Sequence, residues 1–83
     1  MKANEQIILL GDGLKDRLRP ELINMAIEYI EFSEIVLAFE TLCDHIADYD
    51  VVINNDEYSK IIKIANELGL EMDDRYTYIN PEK

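Results

Sequence analysis

Apolar residues recur at steps of three and four along most of this chain, and that regularity constrains its fold more than any other feature. Leu22, Ile23, Ala26, Ile27 and Ile30 form one such series. Ile35, Ala38, Phe39, Leu42, Ile46 and Tyr49 form a second, and Tyr58, Ile61, Ile62, Ala65 and Leu68 a third. Each series makes a single apolar face on a helix of 3.6 residues per turn. No segment offers a convincing strand to pair with another. A chain of 83 residues supports one domain, and at that size only roughly 60% of the unfolded surface can be buried. The pattern predicts an all-α fold: a small bundle of four to five helices in a single domain spanning residues 1–83.

Local signals set the boundaries. Pro20 fits the first turn of a helix, where its missing N–H costs nothing, and Glu21 suits the positive N-terminal end. That helix is expected to end near Glu31 or Phe32. Ser33 reads as the N-cap of the next, with Glu34 in its first turn. So short a connection predicts a central antiparallel helical hairpin. Residues 50–53 read as a loop, Asn54 and Glu57 as a capping box, and Gly69 as the C′ residue of the helix they open. Residues 71–79 suit one or two further turns, and residues 79–83 read as a frayed tail. The ambiguous part is Ala3–Leu14. Its run Ile7-Ile8-Leu9-Leu10 suits a strand or a helix, and Gly11 and Gly13 would weaken a helix by about 1 kcal/mol each. A helix is expected there because no partner strand is available.

Charge narrows the function. The net charge is −10, and its placement matters more than its size. Ten acids lie between Pro20 and Ser59: Glu21, Glu28, Glu31, Glu34, Glu40, Asp44, Asp48, Asp50, Asp56 and Glu57. That stretch contains no Lys or Arg, while the flanks hold eight acids and eight bases. A solvated helix usually mixes signs, because Glu–Lys pairs at i,i+4 add a few tenths of a kcal/mol. A negative field of this kind disfavours nucleic acid and anionic membranes and favours a basic protein partner. Glu40, Asp44 and Asp48 step by four along the third helix, with Leu37 in the same sector. An apolar residue ringed by carboxylates has the form of a binding anchor with a charged rim. The expected partner-binding residues are Leu37, Glu40, Asp44, Asp48, Tyr49 and Asp50, Tyr49 also lying on the apolar stripe. Met25 and Tyr29, beside Glu21 and Glu28, offer a similar arrangement on the second helix.

Motifs for chemistry fail on spacing. Gly11-Asp12-Gly13 lacks the third glycine of a dinucleotide fingerprint and the Gly-Lys-Ser/Thr of a Walker loop. Asp48 and Asp50 begin like a calcium loop, but Val52 and Ile53 occupy positions that need an oxygen ligand and a glycine. His45, beside Asp44 and Asp48, is the single histidine, and the single cysteine, Cys43, borders the apolar stripe. Neither has a second cluster to complete a metal or nucleophile site. No catalysis and no cofactor are expected. One cysteine excludes an internal disulfide, and no secretory leader or membrane span is recognisable, so a cytoplasmic protein is expected.

Laid out in this way, the chain resembles the MafI-type bacterial immunity proteins. The resemblance rests on Glu28-Tyr29-Ile30-Glu31, on Glu34, on Ala38-Phe39-Glu40-Thr41-Leu42-Cys43-Asp44, and on Tyr49-Asp50 and Glu57-Tyr58. It extends from about Ile8 to Leu70. Ser33 departs from it, because a glycine is expected at that turn. The resemblance implies a protein encoded beside a toxin, which it neutralises by stoichiometric binding. Such toxins are often nucleases, whose phosphate-binding surfaces are basic. Two other classes stand beside this one. An acidic helical adaptor or regulatory module would bind a basic cellular protein and would have no toxin gene as neighbour. A small enzyme or metal protein using His45 would lose its activity on His45→Ala.

Overall fold

The computed structural model describes residues 2–81. It contains five helices and, among these residues, no strand. They are α1 (Ala3–Gly13), α2 (Pro20–Glu31), α3 (Ile35–Asp48), α4 (Asn55–Glu67) and the single turn α5 (Asp74–Thr77). The most extensive packing is between α2 and α3, the expected hairpin. α1 packs against α2, α3 and α4, and α5 lies on α3.

The ambiguous N-terminal run is a helix, and its glycine explains why. Ile7, Leu10, Gly11 and Leu14 fall at i, i+3, i+4 and i+7, and all four are buried. Gly11 lies close against α2. A Cβ there would lie 2.9 Å from Ile23 Cγ2 and 3.1 Å from Ile27 Cδ1. Tertiary packing thus outweighs the weak local propensity. The chain then turns through Leu14 and Leu18, both buried, before Pro20 opens α2.

Three helices end by the same device. After α2, the Ser33 N–H donates to Ile30 O and the Glu34 N–H to Tyr29 O. After α3, Asp50 donates to Ala47 O and Val51 to Ile46 O; after α4, Gly69 donates to Asn66 O and Leu70 to Ala65 O. These are Schellman closures, which require a left-handed C′ residue. Ser33 has φ 61°, Asp50 51° and Gly69 71°. Ser33 is therefore the C′ residue of α2 and not an N-cap; Glu34 holds the N-cap position of α3, with no side-chain capping bond. The left-handed geometry at Ser33 is also why a glycine is the natural occupant of that turn.

The core contains Ile7, Leu10, Leu14, Leu18, Ile23, Ala26, Phe39, Leu42, Cys43, Ile46, Ile61, Ile64, Ala65 and Tyr76. Three details differ from the expectations read in the sequence. Ile64 is buried where Ile62 was expected, and Ile62 is only half-buried. Tyr49 leaves the core stripe and is 57% exposed. The stripe stops at Ile46, because the Schellman turn folds Val51 back and Ile53 fills the space below it. Ile79 is buried, so the ordered packing runs further than the expected tail; Glu82 and Lys83 lie outside the described residues.

One ion pair joins two corners of the bundle. Arg17, between α1 and α2, donates from Nη1 and Nη2 to the two Glu57 carboxylate oxygens at 2.7 and 2.6 Å. It also donates to Gly13 O and to Val52 O. Glu57 is the sole buried charged residue among those described, at 8% exposure. It closes the capping box as well: the Asn54 N–H donates to Glu57 Oε1 and the Glu57 N–H to Asn54 Oδ1. The Arg17 guanidinium holds the Glu57 carboxyl below its ordinary pKa near 4.5, with the Asn54 N–H acting in the same sense.

Two stability outcomes are expected. In α1, Gly13→Ala should stabilise by up to about 1 kcal/mol, because helix propensity improves and the nearest atom to the new Cβ is 3.8 Å away. Gly11→Ala should destabilise by about 1 kcal/mol or more, because overpacking against Ile23 exceeds the propensity gain. Urea midpoints of the two variants therefore move in opposite directions. Because the folded-state pKa of Glu57 is depressed, its contribution is present above about pH 4.5 and is lost as pH falls through the lower folded value. Glu57→Gln should cost about 2 kcal/mol near pH 7 and less near pH 3. Urea unfolding of both proteins at the two pH values reads this directly.

Candidate functional site

Helical geometry brings most of the expected partner-binding residues together. Leu37, Glu40, Asp44 and Asp48 follow at steps of three, four and four, and they line the side of α3 opposite Phe39, Leu42 and Ile46. Leu37 is exposed at the N-terminal end of this line. Tyr49 and Asp50 form the exposed C-terminal corner, where Asp50 occupies the left-handed C′ position.

Two of the carboxylates are already engaged. Arg75 of α5 donates from Nε to Asp44 Oδ1 at 2.9 Å and from Nη1 to Glu40 Oε2 at 2.8 Å. Hydrogen bonding to Asp44 raises the Arg75 pKa above its ordinary value, so the fork stays charged. Beside it Tyr76 is buried and stacks on Phe39, with ring centroids 5.6 Å apart. The N-terminus of α5 is fixed by Asp73, whose side chain accepts from the Arg75 N–H. Glu40 and Asp44 thus anchor the C-terminal turn. Asp48 and Asp50 have no ion-pair partner among the described residues.

Packing α5 against α3 creates a groove of about 360 Å³ lined by Asp44, Ala47, Asp48, Asp74, Arg75 and Tyr78. It adjoins a second depression that shares Ala47 and Tyr78 and reaches Asp50 and Val52. The acidic face is therefore broader than one helix stripe. Asp74, Tyr78 and Val52 were not among the expected residues, although Val52 is 77% exposed. Their place depends on where α5 lands, and residues 71–79 carry no periodicity long enough to show it. The one signal present was Arg75, an isolated base between Lys63 and Lys83.

His45 does not converge with its neighbouring carboxylates. Its Nε2 is buried without a protein hydrogen-bond partner, and its ring meets Tyr49 edge-on at 6.2 Å. Burial pushes the Cys43 thiol well above its ordinary pKa, which leaves it protonated and unreactive. Among the described residues, no three His, Cys, Asp or Glu side chains are grouped to hold a metal ion. None of the described helices is long and apolar enough to cross a membrane. No family model, curated protein or solved structure matches the chain.

Arg75→Ala should release Glu40 and Asp44 and loosen α5. The expected cost is about 1 kcal/mol, since the pair is partly exposed. Amide exchange should accelerate at residues 74–79 well before it does in α2 or α4. Equal protection in both proteins would show that the Phe39–Tyr76 stack holds α5 unaided.

Proposed function

We propose that this chain is an immunity protein: it binds a cognate bacterial toxin, a basic protein of nuclease type, and neutralises it by stoichiometric association in the cytoplasm. One observation carries the proposal. The α2–α3 hairpin exposes Glu21, Glu28, Glu31, Glu34, Asp48 and Asp50, and none of them has a basic partner among the described residues. Beyond the helix-dipole contribution of Glu21 and the solubility that net charge brings, an isolated domain gains little from such a surface. Like charges at i,i+3 and i,i+4 cost a few tenths of a kcal/mol per pair. A basic partner turns the same field into fast association and register. The resemblance to MafI-type proteins supports the same partner class, and it runs through the residues that build this hairpin.

Inhibition of this kind has no turnover. The exposed carboxylates would meet the lysines and arginines with which a nuclease holds phosphate, either covering that surface or locking one beside it. Tyr49 and Leu37 would supply apolar contact within the acidic rim.

Co-expression with the protein encoded next door is the direct test. A one-to-one complex that protects the host cell is the expected result, and failure of the two to associate would sink the proposal. Glu40 and Asp44 also hold Arg75, so their reversal reads fold and binding together. Asp48→Lys separates the two. It should leave the free energy of unfolding in urea within about 0.5 kcal/mol of the parent, slow association about tenfold at low salt and flatten its salt dependence. His45→Ala should leave protection intact.

A further inference from the structure

The outer side of α2 carries apolar side chains that the fold does not use. Ile23, Ala26 and Ile30 face inward. On the opposite side Glu21, Met25, Glu28 and Phe32 follow at steps of four, three and four, which sets them in one line along the helix. Phe32 is 66% exposed and Met25 51%, although burying either would contribute about 1.5–3 kcal/mol. Tyr29, half-buried at the edge of the line, joins Met25, Glu28 and Phe32 around a shallow recess of about 230 Å³. Two aromatic rings, a thioether and a carboxylate around one recess match a guanidinium. The rings take its flat face, the carboxylate takes its N–H groups, and the methylene stem lies along methionine. No described residue forms an ion pair with Glu21, Glu28 or Glu31, so the complementary charge is not supplied from within the chain.

We propose that the Glu21–Phe32 face of α2 is a docking surface for a cationic, amphipathic segment of a partner protein, with an arginine of that segment seated among Met25, Glu28, Tyr29 and Phe32. That the partner is a toxin rests on the immunity reading; the chemistry of the face does not. The parallel line on α3 is less suited to be the anchor. Leu37 is its single apolar member, and two of its three carboxylates already hold Arg75. Binding energy concentrates where aromatic and arginine anchors meet, with the surrounding contacts excluding water. The α2 recess has that composition, and the α3 line supplies long-range attraction.

The test uses the full chain, isotope-labelled, titrated with a helical peptide of about 14 residues, roughly 21 Å long, that carries a leucine line flanked by arginines. Saturable binding is expected, with amide shifts concentrated at residues 21–32. Met25→Ser and Phe32→Ser should each weaken binding about tenfold, and Glu28→Gln should weaken it and reduce its salt dependence. A peptide of equal charge with its leucines replaced by glutamine should bind about tenfold less well. Shifts spread over α3 and α5, or serine variants that bind like the parent, would overturn the proposal. Phe32 closes α2, so if Phe32→Ser alters helix content by circular dichroism, Met25→Ser decides. The protein encoded next door is assayed separately with the same variants. If it does not bind the parent chain, the immunity reading falls, and the peptide result still decides the face.

Discussion

The Arg17–Glu57 pair is the constraint on which the rest of the architecture depends. It connects the turn between α1 and α2 to the start of α4, two places separated by forty residues of chain. The same guanidinium reaches Val52 O in the α3–α4 connection and Gly13 O at the end of α1. Four segments therefore meet at one side chain. A buried carboxylate without its partner would cost several kcal/mol, a large share of what a domain this size possesses. Here every Glu57 oxygen is committed, one to Arg17 alone and one to Arg17 and the Asn54 N–H. The pair specifies register: α4 cannot slide by a residue without leaving a charge unmatched.

Arg75 performs the corresponding task at the other end. It binds Glu40 and Asp44 and brings α5 onto α3, where Tyr76 stacks on Phe39. Both arginines come from the flanks of the sequence, and both neutralise acids of its middle. The charge map of the folded protein thus differs from the linear one. Glu40, Asp44 and Glu57 are matched in three dimensions. Glu21, Glu28, Glu31, Glu34, Asp48, Asp50 and Asp56 are not, and Asp74, a flank residue, joins Asp44 and Asp48 on the acidic groove. What survives as free negative surface lies mainly on the outer side of α2, the turn of the hairpin and the corner after α3.

Local chemistry made much of the fold legible. Pro20 opens α2, Asn54 and Glu57 open α4, and Gly69 closes it, as their backbone preferences require. Ser33 and Asp50 misled or stayed silent because each holds a left-handed position without being glycine. Serine favours an N-cap, and at Ser33 the helix-end geometry won over that preference. Gly11 was legible as a weakness and not as a contact, since its purpose is the proximity of Ile23 from another helix. The four-residue stripe of the candidate site was readable from spacing alone. Its partial neutralisation by Arg75 was not, because thirty-one residues separate Arg75 from Asp44 and no periodicity spans that gap.

The two outward lines of the hairpin illustrate how one composition can serve two ends. Both set apolar and acidic residues in one line at helical spacing, Glu21-Met25-Glu28-Phe32 in alternation on α2 and Leu37 followed by Glu40, Asp44 and Asp48 on α3. The chain covers part of the second with its own arginine and leaves the first open. Self-neutralisation turns acids into structure, because a fork that binds two carboxylates fixes α5 more than it attracts solvent. Absence of a counter-ion leaves the other line with unrelieved repulsion and unburied aromatic surface, two costs that a cationic, apolar surface removes together. Association at that face would therefore stabilise the fold as well as the complex, since whatever binds only the native state adds its binding free energy to folding. A domain of this size, with a modest core, can carry such an open face because its two arginine joints fix the ends of the bundle without using the outer line of α2.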